Sequence, residues 1–133
     1  MKPQTGAFLI AADRALSDAR VVFTANLPHQ AARLAYYAEF HSAQALIFER
    51  TGKIAKTHKG VGNQFHLLAR AESSFPVGIA AELVSAYRFK EFADYDTIQA
   101  TPITAAIATG AIATAERFVA AVRQALASPT SAP

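Results

Sequence analysis

A chain of 133 residues is the size of one domain, which excludes two independent cores, and the absence of cysteine excludes disulfides, thiolate metal sites and a cysteine nucleophile. Of its hydrophobic residues 31 are alanine, the strongest helix former, and 52% hydrophobic against 17% charged residues excludes a disordered chain. The net charge of +3 is unevenly placed: Arg50, Lys53, Lys56, Lys59 and Arg70 occupy one acid-free stretch, and the remainder of the chain is slightly acidic.

Apolar residues at Leu9, Ala12, Leu16, Ala19 and Phe23 recur every three or four positions and predict a first helix from about Thr5 to Thr24. Asn26 before Pro28 reads as an N-cap and first turn, and Gly52 as a left-handed C-terminal cap, so a second helix of about 25 residues follows. Lys53 to Gly60 has no repeating apolar pattern and reads as a loop. A short helix from Val61 to about Ala71 uses Val61, Phe65 and Leu68. Ser73, Ser74 and Pro76 mark a boundary, with Pro76 or Val77 opening a fourth helix through Ile79, Leu83, Ala86 and Tyr87 towards Phe92 or beyond. Thr101 before Pro102 predicts the start of a fifth, which carries Ile103, Ile107, Phe118 and Val122 to about Ala127.

The expected architecture is all-α, an up-and-down bundle of four to five helices over residues 1–127, with a flexible tail at 128–133. Phe8 to Ala12 is too short for a signal-peptide core. The longest uncharged stretch, Thr97 to Ala115, is broken by Pro102 and reads as a buried helix, short of a spanning one. A cytoplasmic protein with no membrane association is expected.

Three groups of residues suggest chemistry. The acid-free stretch, with Thr57, His58, Asn63, Gln64 and His66 among its cations, offers donors to phosphate oxygens or to an acidic partner; solvated lysines are the alternative reading. On the second helix Arg33, Tyr37 and His41, spaced by four, form a polar ridge that suits either an internal hydrogen-bond network or a ligand. On the fourth, Arg88 and Lys90 could engage phosphate while Glu91, Asp94, Tyr95 and Asp96 supply acceptors or proton carriers, or the segment is an exposed helix end laced by ion pairs. No Glu has a His three residues later, and there is neither a paired-His zinc helix nor a nucleophile elbow, so no metal or cofactor is expected.

Taken together, Arg33 to Leu46, which reads R-x-x-Y-Y-A-x-F-H-x-A-x-A-L, the segment Lys56-Thr57-His58-Lys59-Gly60, and Arg88 followed by Asp94-Tyr95 resemble the HEPN superfamily. The resemblance implies a helical bundle that dimerises through a helical face and binds RNA or nucleotides in a groove. Many HEPN proteins are metal-independent endoribonucleases, and some are toxins paired with a nucleotidyltransferase antitoxin. On this footing Arg33, Tyr37, His41, Lys56, Thr57, His58 and Lys59 are the expected RNA- or nucleotide-binding residues, and Arg88, Asp94 and Tyr95 the expected catalytic ones. The family's ribonucleases use Arg, four to six residues, then His. Here no histidine follows Arg88 in that window, and His41 or His58 would serve only if folding brought it beside Arg88. The alternative function is a non-catalytic subunit that partners a nucleotidyltransferase-type protein.

Overall fold

The computed structural model describes residues 1–95 and 103–128. They form five helices, α1 (Pro3–Thr24), α2 (Pro28–Thr51), α3 (His58–Ala69), α4 (Ile79–Tyr95) and α5 (Ala105–Ala127), with no strand among the described residues. The all-α architecture agrees with the composition. The expected tail beyond Ser128, and the Thr101–Pro102 helix start, lie outside the described residues.

Helix boundaries follow local chemistry more than apolar period. Asn26 adopts the left-handed conformation (φ 66°) that its short polar side chain tolerates, so it closes α1, and Leu27 takes the cap position of α2 in its place. Gly52 ends α2 in the left-handed region as expected (φ 73°). α3 begins three residues ahead of the expected Val61, because the Thr57 side chain accepts a hydrogen bond from the Gly60 N–H at 2.9 Å. α4 begins at Ile79 rather than Pro76 or Val77, since Gly78 before it is left-handed (φ 86°) and a continuous helix cannot pass through it. α5 begins at Ala105, so Ile103, expected within it, precedes the helix: Thr104 caps α5 by accepting from the Ile107 N–H at 3.2 Å.

α2 is the axle: it packs against each of the other four helices, and more than half of its residues are buried. Two apolar clusters surround it. One is alanine-rich, with Ala12, Ala19, Ala31, Ala35, Ala38, Ala108 and Ala115 bringing α1, α2 and α5 close together. The other holds the larger side chains, Tyr36, Phe40, Leu46, Phe65, Leu83, Phe118 and Val122, with the Phe65 and Phe118 rings 5.0 Å apart. The alanine excess thus serves close helix approach.

Two details correct the sequence reading. Arg50, counted among the basic residues of the acid-free stretch, is internal: it pairs with Glu72 at 2.9 Å and donates to the Ala125 carbonyl at 2.9 Å, both carboxylate and guanidinium being largely buried. The second concerns α5, which is long and apolar enough by length and composition to cross a membrane, because it starts beyond Pro102 and continues to Ala127. Its Ala108, Ile112, Ala115, Phe118, Val119, Val122 and Ala125 nevertheless line the bundle core.

Candidate functional site

The cap at Thr57 puts His58 at the first position of α3, and from there its ring enters an aromatic cluster. The ring centroid lies 5.4 Å from Tyr36, 5.4 Å from Phe40 and 4.3 Å from Tyr87, the last edge-on. Its Nδ1 is hydrogen-bonded to the Tyr36 hydroxyl. Burial raises the Tyr36 pKa above its ordinary value, with Tyr37 and Tyr87 adding to the effect, so this hydroxyl keeps its proton. With no other acceptor for it among the described residues, it donates to Nδ1, which puts the imidazole proton on Nε2. Burial, then the nearby Lys90 ammonium, lowers the His58 pKa, partly offset by Glu91 and Asp94. His58 is therefore a neutral imidazole near neutral pH with an N–H left to donate.

That ring borders a cleft of about 1060 Å³ between α3, the connection that follows it, and α4. One wall carries His58, Lys59, Asn63, His66 and Arg70, spaced so that they share a helix face; the opposite wall carries Tyr87, Arg88 and Glu91. Glu72 also lines the cleft, but Arg50 already neutralises it. Donors and cations therefore outnumber free carboxylates, and the start of α3 adds backbone N–H groups, an arrangement that favours anions.

The residues expected from the sequence divide between this cleft and its rear. His58, Lys59 and Arg88 share the cleft. Arg33, Tyr37, His41 and Asp94 form a polar extension behind it. Asp94 pairs with Lys90 at 2.6 Å and lies 2.9 Å from Arg33 Nε, whose N–H is out of line for a proper hydrogen bond. The Arg33 guanidinium sits 5.7 Å from the Tyr37 ring, and Tyr37 stacks with His41 at 6.2 Å. His41 Nδ1 bonds Gln44 Oε1 at 2.9 Å, and Gln44 donates to the Ala55 carbonyl at 2.8 Å, which holds the loop before α3. Lys56 is exposed and does not line the cleft, and the Thr57 side chain is occupied as the cap. The side chain of Tyr95 lies outside the described residues.

Tyr36 and Tyr87, which complete the setting of His58, are the residues that sequence reasoning passed over. The available signal was the tyrosine pair on α2: at position 36 the ring points inward, one step round the helix from the expected polar ridge.

A helical bundle with a donor-lined cleft at the start of a capped helix is the frame these observations define. The HEPN domain family matches residues 6–125, and the chain belongs to that family. It is also similar to the protein named "Putative toxin MJ0605" of Methanocaldococcus jannaschii, at 31% identity over 126 residues that cover 95% of this chain and 91% of the relative.

Proposed function

We propose that the α3–α4 cleft binds the phosphates of RNA or a nucleotide and that the chain is a cytoplasmic toxin of the HEPN type. The observation that carries this reading is the convergence of His58, Lys59 and Arg88 on one cleft from two helices and from segments far apart in sequence. Lys59 and Arg88 supply charge, and the His58 Nε2–H donates to a phosphate oxygen.

His58 lines the same cleft as Arg88 and is our candidate proton carrier for RNA cleavage, in place of the histidine absent after Arg88. Binding ranks ahead of cleavage for a chemical reason. An imidazole whose Nδ1 is taken by Tyr36 donates a hydrogen bond well but accepts a proton poorly. The similarity to a relative named "Putative toxin" supports the toxin reading; the second reading, a non-catalytic subunit that partners a nucleotidyltransferase-type protein, is tested by copurification with such a protein.

Val84, Arg88 and Phe92 form an exposed ridge along α4, with Val77 exposed at its foot. We read Val77, Val84 and Phe92 as the rim on which a second copy packs in a homodimer, with Arg88 left accessible in the cleft. Light scattering should then give twice the chain mass of 14.2 kDa.

The deciding experiment is purified protein with labelled RNA in EDTA. Binding that weakens steeply with salt is expected, and Arg88→Ala and His58→Ala should each reduce it about tenfold or more. Cleavage lost in both variants would add ribonuclease activity. No salt-dependent binding to RNA or nucleotides would overturn the proposal.

A further inference from the structure

A second cleft, of about 450 Å³, opens between α4 and α5, the two helices that hardly touch one another. Its floor is Glu39 of α2, a side chain 1% exposed, whose Oε1 has no hydrogen-bond partner. Glu82 joins it from α4, partly buried. The remaining walls are apolar or small, with Phe89, Ile107 and Gly110 the most consequential, and no Lys, Arg or His lines the space. Two carboxyl groups thus face a cleft to which the described residues bring no cation.

Burial of a carboxyl without a partner is costly, and it is tolerated here in the neutral form: desolvation, then the charge of Glu82, raises the Glu39 pKa well above its ordinary value. A cation entering the cleft would supply both the missing hydrogen-bond donor and the missing charge. A divalent metal is poorly matched, because it needs more oxygen ligands than two carboxyls, and no group of three acidic or imidazole ligands occurs among the described residues. An organic cation is well matched. Its apolar body fits against Ile107 and the alanines of both helices, and an ammonium near the Phe89 face gains a cation–π contact. The volume is that of a small-molecule pocket.

We propose that the α4–α5 cleft is a binding site for a small aliphatic amine, with the ammonium group on Glu39 and Glu82 and the alkyl chain between Phe89 and Ile107. The site adjoins the α3–α4 cleft only at Gly78 and Ala81, at the foot of α4, and needs no RNA chemistry.

Calorimetric titration of the whole chain with the diamine putrescine and the monoamine butylamine, at matched ionic strength, tests it. Saturable binding is expected, with thermal stabilisation of the folded chain. Glu39→Gln, which keeps the shape and the neutral state of the empty site, should weaken binding about tenfold or more. Gly110→Leu gives a second test, because a Cβ at Gly110 meets nothing within 4 Å; the larger side chain should fold normally and fill the cleft, abolishing binding. Lys53→Ala, exposed and lining neither cleft, should leave amine binding unchanged. No saturable binding, or binding that neither Glu39→Gln nor Gly110→Leu reduces, would overturn the proposal.

Discussion

Glu39 is buried and His58 half-buried, and desolvation moves their pKa values in opposite directions. The folded chain holds the Glu39 proton more tightly than the unfolded chain does. The stability this proton contributes is full below the ordinary carboxylate range and is lost as pH rises through the raised folded value. Glu39→Gln should therefore match the parent at acid pH and exceed it in stability at higher pH, as read from denaturation midpoints across a pH series; parallel curves would refute the assignment. His58 works the other way, since its folded pKa lies below the ordinary histidine value. Its contribution is full above about pH 6.5 and falls away as the unfolded chain takes up the proton first. Replacing Tyr36 with Phe removes the hydrogen bond to Nδ1 and should cost about 1 kcal/mol while moving the His58 titration seen by NMR. An unmoved titration would show that Tyr36 does not hold the ring. His58, Lys59 and Arg88 were legible in the sequence as chemistry-bearing residues. Their meeting was not, because it depends on the angle between α3 and α4, which no local spacing encodes.

At the level of elements, the cap of α3 is what fixes His58 in space. Thr57→Ala should destabilise the chain by about 1 kcal/mol and speed amide exchange in the first turn of α3. Gly60→Ala should have a similar effect by another route, because a Cβ there would stand 2.9 Å from Thr57 Oγ1 and push the cap aside. Undisturbed exchange in both variants would separate the cap from the placement of His58. Apolar period located all five helices but misplaced the starts of α1, α3, α4 and α5 by two or three residues, since period marks the buried face and says nothing of the cap. The Thr57 signal was present in the sequence as a capping residue three positions ahead of Gly60. At α4 the decisive residue was Gly78, whose positive φ outweighed the helix-starting preference of Pro76.

For the whole molecule, the central position of α2 makes the core a single cooperative unit. Phe118 of α5 packs on Phe65 of α3 within the cluster that also holds Tyr36. Phe118→Ala should therefore cost about 3–5 kcal/mol by denaturant unfolding, a large share of the roughly 5–15 kcal/mol that typically holds a domain together. A loss below about 1 kcal/mol would refute the placement of Phe118 in the packed core. The all-α class was legible from alanine content and periodicity, and the HEPN family from motifs in order. The charge distribution was legible only in part: Arg50 belongs by sequence to the basic stretch and by structure to the interior, where Glu72 and the end of α5 claim it.

α4 lies between two chambers that meet only at Gly78 and Ala81, at its foot. Arg88 faces one and its neighbour Phe89 the other, while Tyr36 and Glu39, three residues apart on α2, mark their inner ends. A partition of this kind makes the chambers thermodynamic neighbours: whatever draws α4 towards α5 enlarges the space beside α3, and any occupant that shifts the helix alters the affinity on its far side. Linkage requires the effect to be equal in both directions. If the two chambers take an amine and a phosphate as proposed, the helix that carries Arg88 is also a lever, and the amine content of the surroundings would set how readily the opposite chamber takes up phosphate.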